Sequence, residues 1–249
     1  MRIAIVGPGR MGLAAERAAL DAGHEVVARI DRGDRIDAET LGGAEVAIEF
    51  STPTAAPGNI VRLAQAGVDT ACGTTGWTDD AGTVRAAVES AGTGLLTAAN
   101  FSLGVAAFAR LVRRAAELAA GVPEYDVHLH EAHHRHTLDH PSGTARMLAE
   151  TIVAGLDRKV RWEPGPPDQA PDPAVLYVSV TRAGDIAGTH VVAFEGPHDR
   201  IELRHEARDR GGFARGAVEG ALWIHGRTGV FGIEDWLRDR FNPTNENHG

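Results

Sequence analysis

Arg2-Ile-Ala-Ile-Val-Gly-Pro-Gly-Arg-Met-Gly12 is the stretch that decides the fold. Arg2 to Val6 is a short apolar, β-branched run ending at glycine, the pattern of a buried strand. Gly7-Pro8-Gly9-Arg10-Met11-Gly12 reads G-x-G-x-x-G, and Met11 to Ala22 follows as an Ala/Leu-rich helix without a breaker. In this strand–turn–helix setting the glycines have separate duties. Gly7 permits a tight turn, Gly9 lets a pyrophosphate approach the backbone, and Gly12 lets helix and strand pack closely. The helix N-terminus then faces the phosphates. Asp31 stands 19 residues after Gly12, at the end of a second strand (His24 to Ile30), where an acceptor for a ribose 2′-hydroxyl belongs. Arg32 beside it suits a 2′-phosphate, so NADH and NADPH both stay open. The plainer alternatives are a glycine turn in an unrelated α/β protein and an ordinary surface arginine.

Outward from this unit the same rhythm continues. Glu45 to Phe50, Val68 to Cys72 and Gly94 to Ala98 read as buried strands, with helical stretches at 55–66 and 79–91. Strand alternating with helix at this spacing predicts an α/β, doubly wound parallel sheet of the Rossmann kind. After Asn100 the pattern changes. A long helix over 103–120 leads to a half-exposed strand at Tyr125 to His130, and another helix starts near Ser142. The segment 163–174 holds five of the twelve prolines and reads as a surface loop. Alternating segments at 175–182, 188–196 and 199–206 predict an antiparallel or mixed sheet, and a last helix at 212–226 precedes a short tail. The expected organisation is a dinucleotide-binding domain of 1–102 plus 212–249, and a second α+β domain of 103–211.

Composition narrows the classes of function. With 249 residues, 43% hydrophobic and 24% charged, the chain has room for one large domain or two modest ones. No apolar run approaches the ~20 residues of a bilayer-spanning helix, and no secretory leader is expected. A single cysteine, Cys72, fits a reducing compartment, so the expected location is cytoplasmic. The net charge of −9 argues against nucleic-acid binding. An anionic ligand would need a local positive pocket. Lys159 is the only lysine among the 25 basic residues.

Six of the twelve histidines fall between His128 and His140. His130-Glu131-Ala132-His133-His134 satisfies H-E-x-x-H, a zinc pattern that works only on a helix, whereas the preceding alternation predicts a strand here. No metal is expected. A polar surface is a second reading. A third is an acid/base and anion-binding loop, because a histidine near neutrality exchanges protons readily. That third reading gains from Asp139-His140-Pro141-Ser142-Gly143-Thr144-Ala145, a turn opening a helix whose N–H groups and hydroxyls suit a carboxylate. Ser142 also reads as a plain N-cap.

Glu131-Ala132-His133-His134-Arg135-His136, with Asp139 and Pro141 to Ala145, closely resembles the signature of the 4-hydroxy-tetrahydrodipicolinate reductase (dihydrodipicolinate reductase) family. Gly9 to Gly12 resembles its phosphate loop. Gly73-Thr74-Thr75-Gly76 and Ala99-Asn100-Phe101-Ser102 resemble its nicotinamide-side loops. Arg182 to Ile186 with Gly188 and His190, then Phe213-Ala214 with Gly216-Ala217, resemble its C-terminal half. The resemblance implies reduction of a cyclic imine-type dicarboxylate with NADPH or NADH. It also implies a second domain that binds substrate and builds a homotetramer. By position it makes His133 the catalytic acid/base and gives substrate binding to His134, Ser142, Gly143 and Thr144. Cofactor binding falls to Gly7, Gly9, Arg10, Met11, Gly12, Asp31, Arg32, Gly73, Thr74, Thr75, Ala98, Ala99, Asn100 and Phe101. One departure stands out. The family carries a lysine three residues after the histidine pair, and this chain has Thr137, with Arg135, His136, His140 and Arg210 as the candidate replacements. A paralogue acting on another cyclic imine or keto acid, and a non-catalytic nucleotide sensor, are the competing implications.

Overall fold

Short runs between turn residues become five parallel strands within the first 97 residues. In the computed structural model, which describes residues 1–167 and 169–241, these are β1 (Arg2–Val6), β2 (Glu25–Ile30), β3 (Val46–Glu49), β4 (Asp69–Cys72) and β5 (Gly94–Thr97). They lie in the order β5-β4-β3-β1-β2. Helices α1 (Arg10–Asp21), α2 (Ala56–Gln65) and α3 (Ala81–Ala91) make the crossovers, with a 3₁₀ turn at Thr78–Asp80 leading into α3. Because β1 has β2 on one side and β3 on the other, the chain reverses direction across the sheet at β1. The crevice at the carboxyl ends beside such a strand is where open α/β sheets bind ligands. Both faces are covered, so β1 beyond Arg2 and all of β3 and β4 are buried, with the polar Glu49, Asp69 and Thr70 among them.

Helix α4 (Leu103–Ala120) opens a different construction. It is followed by β6 (Asp126–His133), α5 (Gly143–Gly155), β7 (Arg161–Pro164), β8 (Val175–Arg182), β9 (Thr189–Glu195) and β10 (Arg200–Glu206). These strands form a mixed sheet in the order β10-β9-β6-β8-β7. Its central strand β6 runs antiparallel to β9 and parallel to β8. One face packs Val127, Leu129, Leu176, Val178, Val192 and Phe194 under Phe108 and Val112 of α4 and Leu148 and Ile152 of α5. Two expectations need correction here. The β6 strand runs on to His133 instead of ending at 130, because its pairing with β8 and β9 continues through the histidine segment. The proline-rich stretch begins inside a strand: β7 takes Arg161–Pro164 at the sheet edge, where a proline lacking its N–H is tolerated. The lone lysine is structural. Lys159 is 2% exposed and spends its ammonium on Asp126 (2.7 Å) and the carbonyls of Pro173 (2.9 Å) and Val175 (3.1 Å).

The chain then returns to the first sheet. Helix α6 (Gly211–Ile224) packs on α1, and β11 (Gly229–Gly232) adds beside β5 as a sixth parallel strand. Helix α7 (Ile233–Phe241) follows. The expected short tail after 226 is therefore corrected up to residue 241: it holds a strand and a helix. Residues 242–249 lie outside the described residues. Two compact units result, Met1–Leu103 together with the residues from Arg210 onward, and Gly104–Asp209. Among the described residues no helix is long and apolar enough to cross a membrane.

Candidate active site

The glycine loop works as three distinct constraints. Gly7 has φ +82°, and a Cβ there would lie 2.5 Å from the Phe50 carbonyl oxygen, so two reasons demand glycine. A Cβ on Gly12 would lie 2.2 Å from the Gly7 carbonyl oxygen. Gly9 has φ −76° and open space around its Cα, so nothing in the chain itself requires glycine there. What remains is close approach by a ligand. Gly9 is also the N-cap of α1 and supplies no side-chain acceptor, which leaves the helix N–H groups available. Arg10, Met11 and Gly12 form the first turn of that helix.

Gly7, Gly9, Asp31 and Arg32 line one cleft of about 760 Å³, together with Ser51 and Arg62. Asp31 accepts the Arg32 backbone N–H at 2.7 Å, and Asp34 accepts that of Asp31 at 2.8 Å, which sets the direction of both carboxylates. Glu49, buried at the end of β3, was given no role from sequence. It accepts the Ser51 N–H (3.1 Å), the Ser51 hydroxyl and the Asn59 amide (3.3 Å), and so holds the rim of the cleft. Burial and then Glu49 push the Cys72 thiol up, which leaves this cysteine an inert thiol.

Thr74, Thr75, Ala98 and Ala99 line a second cavity of about 500 Å³ in the same unit, with Trp77 and Val230. The Thr74 hydroxyl is buried without a hydrogen-bond partner, an open valence suited to a carboxamide or similar polar group. Gly73, Asn100 and Phe101 lie on the loops that follow β4 and β5. A Cβ on Gly73 would strike the Phe50 ring. Asn100 accepts the Ser102 N–H at 2.8 Å. Phe101 is buried edge-on to Phe50 at 6.3 Å between centroids. The two cavities and the glycine cradle fit a nicotinamide dinucleotide.

The second unit builds its site from side chains. On β6 the residues 127, 129, 131 and 133 share one face of the strand. Val127 and Leu129 fill the core, and Glu131 and His133 continue that face with polar groups. Register supplies the partners: Glu131 pairs with His190 on β9, and His133 with Arg182 on β8. Glu131 is fully buried. Its Oε1 accepts Arg182 Nη2 at 2.8 Å and the Ser142 N–H at 2.9 Å. Its Oε2 faces His133 Nδ1 at 3.2 Å and His190 Nε2 at 3.7 Å. Neither histidine contact has hydrogen-bond alignment, and Oε2 is otherwise without a partner. Burial pushes this carboxyl up, but the groups of His133, His190, Ser142 and Arg182 together outweigh it. They hold the carboxyl well below the usual carboxylate range.

The loop after β6 is pinned from both sides. Ala183 N–H donates to the His133 carbonyl at 3.0 Å, and Thr137 N–H closes a turn on the His134 carbonyl at 3.0 Å. The Thr137 hydroxyl sits 3.1 Å from His134 Nδ1. Arg135, His136 and His140 are exposed on this loop. Ser142 caps α5, accepting the Ala145 N–H at 3.2 Å, while Asp139 accepts the Gly143 N–H at 3.2 Å. Thr144 follows in the first turn. The zinc pattern is not assembled, because His130 to His133 belong to a strand and His130 bonds Ser179 (2.8 Å) on the other face. Glu131, His133 and His190 do bring donor atoms within 4.8 Å of one another. Arg182 already neutralises the single carboxylate, so a divalent ion would bury uncompensated positive charge. No metal role is assigned. Sequence reading quoted Glu131, Arg182, Gly188 and His190 without giving them roles. The signal that joins them is strand register, which period-2 alternation alone does not supply.

A family model described as "Dihydrodipicolinate reductase, N-terminus" matches residues 1–101, and one described as "Dihydrodipicolinate reductase, C-terminus" matches 104–237. The chain belongs to the dihydrodipicolinate reductase family. It is an NAD(P)H-dependent oxidoreductase of lysine and diaminopimelate biosynthesis. The 4-hydroxy-tetrahydrodipicolinate reductase of Christiangramia forsetii is 37% identical over 97% of this chain and 99% of that protein. The one from Neisseria gonorrhoeae is 37% identical over 89% of this chain and 83% of its own length. Among solved structures, a dipicolinate-bound dihydrodipicolinate reductase from Paenisporosarcina sp. TG-14 superposes with a TM-score of 0.73 at 24% identity. That match covers 94% of this chain and 98% of the other, and shows the shared fold.

Proposed function

We propose that this reductase converts 4-hydroxy-tetrahydrodipicolinate to tetrahydrodipicolinate, with His133 as the acid/base and His134, Ser142, Gly143 and Thr144 holding the dicarboxylate. The observation that carries the reading is His133 at the end of β6, 14% exposed and backed by the buried Glu131 carboxylate. A nicotinamide dinucleotide held by the first unit would supply hydride. One proton is taken up and the C4 hydroxyl leaves as water, so the net change is the gain of two electrons and two hydrogens and the loss of one water. His133 handles the proton, and the start of α5 offers donors to the ring carboxylates. Gly143 N–H serves a substrate only when Asp139 gives way, because it donates to the Asp139 carboxylate.

The Gly7 to Gly12 loop with Arg10 and Met11 is read as the pyrophosphate cradle. Asp31 and Arg32 are read as the ribose and 2′-phosphate contacts. Thr74, Thr75, Ala98 and Ala99, supported by Gly73, Asn100 and Phe101, form the nicotinamide side. With Arg32 and Arg62 on the cleft beside Asp31, both NADH and NADPH are expected to serve. The second unit is read as the substrate and tetramerisation domain of a cytoplasmic homotetramer. Support comes from edge strand β10, which leaves Ile201 48% exposed, and analytical ultracentrifugation tests it.

The test of the activity is oxidation of each cofactor with substrate generated in situ by the preceding synthase from pyruvate and aspartate semialdehyde. Turnover is the expected result, and its absence with both cofactors sinks the substrate assignment. Thr137→Lys, run in parallel, shows whether the uncharged residue limits turnover.

A further inference from the structure

The two oxygens of Glu131 have different company. Oε1 is fully used by Arg182 and the Ser142 N–H, contacts that tie β8 and the start of α5 to β6. A structural role needs only that oxygen. Oε2 faces nothing but imidazole nitrogens, His133 Nδ1 at 3.2 Å and His190 Nε2 at 3.7 Å. The His133 ring is confined on its other sides. His190 meets it edge-on, with centroids 5.2 Å apart. Gly188 lies against its far nitrogen: a Cβ on Gly188 would come 3.0 Å from His133 Nε2. Only glycine leaves that nitrogen clear.

From this asymmetry we infer that Glu131 is the positioning residue for His133. Its Oε2 keeps the hydrogen of the imidazole on Nδ1, so that Nε2, on the Gly188 flank, carries the proton exchanged with substrate. The inference rests on the reading of His133 as the acid/base. An ionised carboxylate is an acceptor only, so a small turn of the ring converts the 3.2 Å contact into a hydrogen bond only when Nδ1 carries the hydrogen. The groups around the pair fit this assignment. Arg182 from β8 bonds Oε1, and His190 from β9 stands at the other oxygen. Behind His190 lies His205 on β10, whose own pKa is pushed down by burial and by His190. Asp139 enters only through its carbonyl, which accepts Arg182 Nη2 at 2.6 Å.

Glu131→Gln separates the two oxygens. The amide oxygen still accepts from Ser142 and Arg182, while the amide nitrogen replaces Oε2 and presents a donor to His133 Nδ1. The tautomer should therefore invert to Nε2–H. The readout is the ¹⁵N shift of labelled histidines, with His133 assigned by its loss in His133→Gln. The expected results are Nδ1–H in the wild type, Nε2–H in Glu131→Gln, and kcat down about 100-fold. The substrate KM should stay within about twofold, and Glu131→Asp should recover part of kcat. Wild-type kcat in a folded Glu131→Gln protein would overturn the inference and leave His133 as the acid/base. Unaltered activity in His133→Ala would instead remove the reading beneath it. Should Glu131→Gln fail to fold, the wild-type spectrum decides alone: an Nε2–H tautomer of His133 sinks the proposal.

Discussion

The glycine loop of the first unit and the β6 cluster of the second are both candidate ligand sites, yet they are made from opposite materials. The loop is backbone: Gly7, Gly9 and Gly12 matter for the side chains they lack, and the groups they expose are amides. The cluster is side chain: a buried carboxylate is held by a guanidinium and faced by two imidazoles on neighbouring strands. A backbone site is local, since six consecutive residues build it. The side-chain site needs three strands and the start of a helix in register before any part of it exists. The first tolerates wide change in surrounding side chains and almost none in its glycines. The second depends on charge balance in a dry interior.

Substitutions can break that contrast. The largest effect is expected at Gly12→Ala, whose Cβ would meet the Gly7 carbonyl oxygen at 2.2 Å. Backbone cannot yield as a side chain can, so NADPH binding should be lost and the first unit should melt earlier, as read by cofactor fluorescence and calorimetry. His133→Ala comes next, with kcat down about 10²- to 10⁴-fold while the dissociation constant for NADPH is unchanged. Retained turnover would show that the side-chain site is not where proton transfer occurs.

The third effect is on stability against pH. Glu131 in the fold lies below its ordinary 4.5, so its contribution is complete above that pH and drains away as the pH falls below it. Burial lowers His130 and His205 from 6.5, so their contribution is complete above 6.5 and is lost as the pH falls through it. Melting temperature should thus decline in two stages on acidification, and Glu131→Gln should shrink the lower one, to which Asp37, Glu45 and Glu206 also contribute. A single stage in the wild type would contradict the buried charge. The smallest stability change belongs to Gly9→Ala. Open space and φ −76° predict melting within about 0.5 kcal/mol of wild type, with NADPH binding nonetheless weakened. Unchanged affinity would show that the ligand does not approach Gly9.

Much of the first unit was readable in advance because short-range rules govern it. Apolar runs such as Val46–Glu49 and the breakers beside them locate strands buried on both faces. The Ser142 cap was readable for the same reason, since a cap and its N–H lie three residues apart. Strand β11 was not, because Gly229–Gly232 is four residues with glycine at both ends and is a strand only through pairing with β5. Strand β7 was hidden by the prolines that follow it.

By itself the chain determined the parallel sheet, the strand–glycine–helix opening and the family signature around His133, because periodicity, glycine geometry and a dense local motif are properties of neighbouring residues. Only the tertiary structure decided that Glu131 belongs to His133 and not to a metal motif. It also decided that Arg182 and His190 complete the cluster. Those pairings join residues up to 59 positions apart (Glu131 to His190), and sheet register brings them together. Once buried, such charges must be balanced against one another, since no water is there to do it.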